Sequence, residues 1–340
     1  MHTIVVGRDA MACRFEVVFN AGETADATEL GVAALDLVDL IEDRITVYRD
    51  GSELSRLNAT ASEGWQTVAV DLFDLLVTAG QLGERTGGGF DCASGALVRA
   101  WGFLERRGRI PTDESLQAAR ERSGMRLVEL DPATKRVRFA RPGVELNLGG
   151  IGKGWALDRV VELLRDAGVE SGFVHGGRSS VRAIGSQGGV QGGQRGWPVG
   201  VRHPLRTDRR LATIRLQDRA LGTSGSGTQF FVDRGRRLGH ILDPRSGLPA
   251  EGLLSATVVA PTAAESDALS TALYVLGPAG LPLIAPEGGD VGGLIVAPAE
   301  TPGRLRVVVA NLDSDDIAFE PGPDFEVEVL RSKPAVDPRG

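Results

Sequence analysis

The stretch Asn147-Leu-Gly-Gly-Ile-Gly-Lys-Gly-Trp-Ala-Leu-Asp158 most constrains what this chain can fold into. It begins on an extended apolar run, passes a glycine-rich turn and opens directly into a helix. Such a turn lets backbone N–H groups approach an anion closely, and the helix N-terminus adds a favourable dipole. Lys153 supplies a positive charge at the same place, so the local chemistry suits a phosphate-bearing ligand. The spacing excludes a P-loop, because Asn147 stands where the first glycine belongs and Gly154 where Ser or Thr belongs. It also departs from the dinucleotide-binding fingerprint. Read as structure alone, the glycines would serve only tight strand-to-helix packing.

The remaining periodicity sets this turn in an α+β frame. Residues 11–20 read as a strand, 25–45 and 71–86 as helices, and 127–130 with 136–139 as a hairpin. Lys153–Ala167 reads as an amphipathic helix with Trp155, Leu157, Val160, Val161 and Leu164 inward, stopped by Gly168. Short extended runs follow at 172–175, 180–185, 197–202, 211–216, 219–223, 228–232 and 254–260, then a helix over 263–276 stopped by Gly277. Helices among many short strands, without regular βαβ alternation, point to largely antiparallel sheets with flanking helices. The expectation is a single domain over 1–331, with a low-complexity loop at 186–196 and a frayed tail at 332–340.

Composition narrows the function. Hydrophobic residues make up 42% of 340, enough for a sizeable core, and the formal net charge is −7. No basic run marks a nucleic-acid footprint; Arg106, Arg107 and Arg109, and again Arg206, Arg209 and Arg210, read as solvated loop charge. Cys13 and Cys92 have no metal-ligand spacing, which fits a reduced setting. The first residues lack the basic and apolar regions of a signal peptide, so a cytoplasmic location is expected, or export if the chain is a processed product. No window reads as a membrane-spanning segment.

Three further places could carry chemistry. His240, in Gly239-His-Ile-Leu-Asp-Pro-Arg-Ser-Gly247, lies where a strand runs into a turn; its imidazole is either a general base or a partner for a turn carbonyl. His175 sits at a strand end that could line the same cleft. Asp267 and Thr271 stand at i and i+4 of a helix, either as a hard oxygen pair for Mg²⁺ or as a dipole-complementing acid with Thr packed beside it. Phe90-Asp91, after three glycines, is either a close-approach loop for an aromatic or ribose-bearing ligand or a helix stop with a capping acid.

These stretches, in this order, resemble the ApbE family of FAD:protein FMN transferases. The resemblance runs from Met11 to about residue 277. It covers Ser52-Glu-Leu-Ser-Arg-Leu-Asn58, the Gly-Gly-Phe-Asp loop with Trp101-Gly-Phe103, Asn147–Asp158, Gly222-Thr-Ser-Gly225, His240–Gly247 and Asp267-Ala-Leu-Ser-Thr271. It implies a T-fold-like architecture and transfer of the FMN half of FAD, with Mg²⁺, to a threonine hydroxyl of an acceptor protein, releasing AMP. It implies that Met11, Tyr48, Gly89, Phe90, Asp91, Asn147, Lys153 and Ile241 contact FAD. Asp267, Thr271 and the Gly150 carbonyl would hold Mg²⁺, and His240 would help deprotonate the acceptor. The rivals on the same residues are hydrolysis of FAD to FMN and AMP, or flavin binding without catalysis. The chain departs from the family pattern at Asn147, where Asp is usual, and at Arg178, where Gly176-Gly177 would usually be followed by Asp. It departs again at Ser226-Gly227-Thr228, where an aromatic is common.

Overall fold

The computed structural model describes residues 2–188, 195–225, 229–322 and 324–330. Most of the 186–196 loop, Ser226-Gly227-Thr228 and the expected tail at 332–340 lie outside the described residues.

A nine-stranded sheet forms the centre. In spatial order its strands are Thr3–Ala10, Cys13–Asn20, Gly172–Gly176, Ser180–Ile184, Ala220–Gly225, Ser255–Ala260, Gly292–Pro298, Leu305–Ala310 and Phe325–Leu330. Every neighbouring pair is antiparallel except the last, which is parallel. The middle strands are apolar at consecutive positions because both faces are covered. In the 305–310 strand, Leu305, Val307 and Val309 face one core while Val308 and Ala310 face another, the period-two alternation of a strand. The first face packs on a small sheet, ordered Ile317–Phe319, Arg210–Leu216 and Trp197–Arg202. The second packs on three helices, Ala27–Ile45, Gly152–Asp166 and Ala263–Leu276. The α+β reading with largely antiparallel sheets therefore describes the molecule.

Several elements escaped the sequence reading, among them the short helices Glu53–Thr60 and Gly95–Ala100, and two of them for identifiable reasons. The strand Thr3–Ala10 is the outer strand of the large sheet and has only one fully buried residue, Ala10, so its alternation is faint. The helix Asp113–Glu121 is polar on most sides, with Ala119 its one buried residue. The expected strand 11–20 starts two residues late: Met11 and Ala12 form the hairpin turn, both at positive φ (48° and 59°). Helix 263–276 and its short continuation bear on the expectation of no membrane-spanning segment. Ala263–Ile284 is long and apolar enough, by length and composition, to cross a membrane, but 56% of the window is buried inside the protein. Its hydrophobicity serves the core, against the central sheet.

Helices 152–166 and 263–276 are joined by a reciprocal clasp. Asp158 on the first helix accepts the Ala263 and Ala264 amides at 2.8 Å each, at the start of the second. Asp267 on the second accepts the Gly154 amide at 3.0 Å, in the first turn of the first. Each carboxylate thus satisfies N–H groups that a helix start leaves without an internal partner. The approach is possible because residue 154 is glycine; a Cβ there would collide with the Ala263 carbonyl. Arg182, buried beside Asp158 with Nε 3.5 Å from Oδ1, balances its charge. Asp158→Ala leaves two amides without their acceptor and the buried Arg182 without its counter-charge, although its Nη1 still donates to the Asp218 and Pro261 carbonyls. It is expected to cost about 2–4 kcal/mol, read as a lower urea midpoint with unchanged slope; a shift under about 0.5 kcal/mol would refute the clasp.

Candidate active site

The clasp brings the glycine turn and the Asp267 helix together. Asp267 is buried; its Oδ2 takes the Gly154 amide and its Oδ1 takes the Ser180 hydroxyl at 2.7 Å. One turn on, the Thr271 hydroxyl lies 3.1 Å from the Asp267 carbonyl and 3.2 Å from Ser224 Oγ. Gly150 closes the group: a Cβ built there would stand 3.4 Å from Thr271 Oγ1 and 3.3 Å from the Phe90 ring. Asp267, Thr271, Gly150 and Phe90 therefore share one small volume.

The turn is shaped by its own side chain and carbonyls. Asn147 Oδ1 accepts the Gly149 amide at 2.9 Å, and the Leu148 carbonyl accepts the Ile151 and Gly152 amides. A neutral Asn suffices for this Asx turn. Helix starts at Gly152, so Lys153 sits in its first turn. Lys153 has no hydrogen bond or ion pair among the described residues, yet its charge reaches both Cys13 and His240. A half-buried ammonium without a partner, beside a helix N-terminus, suits an incoming phosphate.

His240 lies close enough to Lys153 to feel its charge. Its Nδ1 lies 3.0 Å from the Gln229 carbonyl. A carbonyl only accepts, so Nδ1 carries the proton and Nε2 keeps its lone pair. Burial pushes the imidazole below its ordinary pKa; the Gln229 carbonyl opposes this and Lys153 adds to it. The result is a neutral ring near pH 7 with Nε2 able to take a proton. The loop that follows is pinned by the Trp101 indole, which donates to the Gly247 carbonyl at 2.8 Å. Phe103 meets the imidazole edge-on at 6.4 Å.

Other candidates have more structural surroundings. Asp91 is occupied by the Ala93 and Met125 amides at 2.8 and 3.0 Å, and burial raises its pKa despite them. Gly89 lies against Leu276, where a Cβ would meet Cγ at 2.8 Å. The Met11 amide donates to Glu42 at 2.5 Å, which fixes the left-handed turn. Ile241 is half-buried beside the main core. Tyr48 is 63% exposed, and its ring has no partner among the described residues. His175 is held by Glu16 and the Gly177 carbonyl at 2.9 Å each. Arg178 is exposed, without an ion pair among the described residues, so its charge lies in solvent. Sequence reasoning missed Ser180 and Ser224, whose role depends on strand neighbours, and Asp158, whose partners lie about a hundred residues on in sequence.

The donors can be tested against a metal ion. Among the described residues, no group of three or more His, Cys, Asp or Glu could hold one. One carboxylate, one hydroxyl and one carbonyl instead match Mg²⁺, which keeps waters and substrate phosphate oxygens as its other ligands. The Asp267 oxygens each accept a single hydrogen bond, so both retain lone pairs.

An anion-receptive helix start, an oxygen donor set and a neutral imidazole define a phosphoryl-transfer class of site. The chain belongs to the ApbE family, whose sequence profile matches residues 11–294. It is 34% identical over 265 residues to the FAD:protein FMN transferase of Treponema pallidum, covering 74% of this chain and 73% of the relative. It is 30% identical to that of Escherichia coli, covering 76% and 73%. Among solved structures, the ApbE protein of Thermotoga maritima superposes with a TM-score of 0.79 at 30% identity, covering 87% of this chain and 94% of that one. The flavin transferase ApbE of Vibrio cholerae gives 0.77 at 25% identity, covering 91% and 97%.

Proposed function

We propose that this enzyme transfers the FMN half of FAD to a threonine hydroxyl of an acceptor protein, with Mg²⁺, releasing AMP. The observation that carries this reading is the juxtaposition of the glycine turn and Lys153 with Asp267 and Thr271, beside a neutral His240. The names of the relatives support FAD as donor and a protein as acceptor.

The pyrophosphate of FAD would lie against the turn, its charge met by Lys153 and the helix start. Asp267, Thr271 and the Gly150 carbonyl would hold Mg²⁺, which when bound neutralises charge developing on the phosphates. Phe90 walls the site beside Gly150. His240 Nε2 would take the proton as the threonine oxygen bonds to the FMN-side phosphorus. The bond from that phosphorus to the bridging oxygen breaks, and AMP leaves with that oxygen. Ser180 orients the Asp267 carboxylate, and Ser224 does the same for the Thr271 hydroxyl.

Charge reversal tests the phosphate assignment directly. Lys153→Glu replaces an attraction with a repulsion, and FAD affinity is expected to fall about 10²-fold. A titration following flavin fluorescence reads this; equal affinity for both proteins would remove the pyrophosphate from the turn.

A further inference from the structure

Next to His240, a two-stranded hairpin, Phe230–Asp233 paired with Arg236–Gly239, stands apart from the other sheets. Its two faces differ sharply. Phe231 and Leu238 turn inward, where Phe231 meets Phe103 and Trp101 at ring separations of 5.9 and 6.4 Å. Phe230 and Val232 turn outward and are 44% and 64% exposed. Arg237, directly across from Val232, lies over the Phe230 ring at 3.5 Å. No third strand pairs with this hairpin among the described residues, so it offers an open edge.

The loop beside it adds charge. Gln229 donates to the Phe103 carbonyl at 3.2 Å, and Gly108 lies against Phe231, which holds the 104–110 loop to the hairpin. Arg106, Arg107 and Arg234 are exposed and have no ion pair among the described residues. Arg106 and Arg234 occupy turn tips at positive φ, which present them to solvent. Of the acids nearby, Glu105 is engaged by Arg109 and Glu251 by Arg236, while Asp233 at the end of the first hairpin strand has no ion pair among the described residues. A basic, apolar surface is unusual on a chain of net charge −7.

We propose that this hairpin and the 104–110 loop dock the acceptor protein through an extended segment carrying acidic and apolar side chains. This rests on the transfer reading above. The hairpin runs directly into His240, so a segment seated on it delivers a hydroxyl to the base. The arginines select acidic flanks, and Phe230 with Val232 takes an apolar side chain.

The test uses two short fluorescein-labelled peptides with one threonine each, flanked by Asp, Glu and Leu in one and by Lys and Leu in the other. Binding to the full-length protein is read by anisotropy at about 50 and about 300 mM salt. The acidic peptide is expected to bind at least about tenfold more tightly at low salt, and less so at high salt. Replacing Arg106, Arg107 and Arg234 together with Glu should abolish that preference while FAD binding is retained. Phe230→Ser with Val232→Ser should weaken the acidic peptide at both salts. Equal binding of the two peptides, no binding of the acidic one, or an unchanged preference in the triple variant overturns the proposal. Flavin attachment is scored separately by mass: an acidic peptide that binds through these arginines but stays unmodified counts against the transfer reading, not the surface.

Discussion

Asp267→Ala is expected to reduce flavin transfer by about 10³-fold or more, on the scale of losing one preorganised electrostatic contact in a water-poor site. The side chain supplies the only carboxylate in the proposed Mg²⁺ set. It also holds the Gly154 amide and the Ser180 hydroxyl, so its removal destabilises the protein as well, by about 1–3 kcal/mol. Asp267→Asn separates the two effects. The amide keeps an oxygen acceptor and the volume of the side chain but carries no charge. Transfer by Asp267→Asn should therefore remain depressed, and adding Mg²⁺ should restore little of it. A rate and Mg²⁺ dependence equal to wild type in Asp267→Asn would show that metal neutralisation at this residue is not part of catalysis.

His240→Gly should lower transfer by about 10²- to 10⁴-fold, the range for loss of a positioned general base, while FAD affinity stays within about twofold. Added imidazole should recover part of the rate, because the vacated space beside Phe103 matches the lost ring. The pH profile carries a second signature. For the proposed base the neutral ring would be the active form, and burial holds its pKa below the ordinary value. The acid limb of the wild-type rate should therefore fall below pH about 6.5, and it should vanish in His240→Gly. Parallel loss of FAD binding and rate, with no rescue, would assign His240 to supporting the loop. The products settle the rival chemistry on the same residues. A mass gain on a threonine-bearing acceptor marks transfer, whereas FMN and AMP in equal amounts without an acceptor mark hydrolysis.

Much of this architecture is legible locally. The helix at 263–276 is legible in its Gly277 stop, where φ is +67°, and the structure adds the Thr262 side chain accepting from the Glu265 amide at its start. The glycine turn and the inward stripe of helix 152–166 are equally plain, because helical period and turn chemistry are nearest-neighbour properties. What a single sequence hides is the meaning of residues satisfied at long range. Asp158 reads as one more acid on a helix until the start of helix 263–276 is placed beside it. Ser180 looks like any polar residue opening a strand, although its hydroxyl fixes a carboxylate far along the chain. Asp91 shows the converse. Its glycine-rich setting suggests a ligand contact, while in the fold its oxygens are occupied by two amides of its own neighbourhood. Arg178 breaks the family pattern most visibly in sequence, yet it points to solvent.

The reciprocal clasp also fixes how this site breathes. The amides of Gly154 and Ala263 are held by carboxylates on each other's helix. Neither helix start can lift away without releasing a proton donor on the other. Local opening is therefore a joint event, and the two amides should exchange with deuterium at a common rate set by one shared free energy. The phosphate-receptive turn and the oxygen pair of Asp267 and Thr271 thus keep their spacing through thermal fluctuation. In the proposed reaction, substrate would meet a cradle whose halves loosen together or not at all.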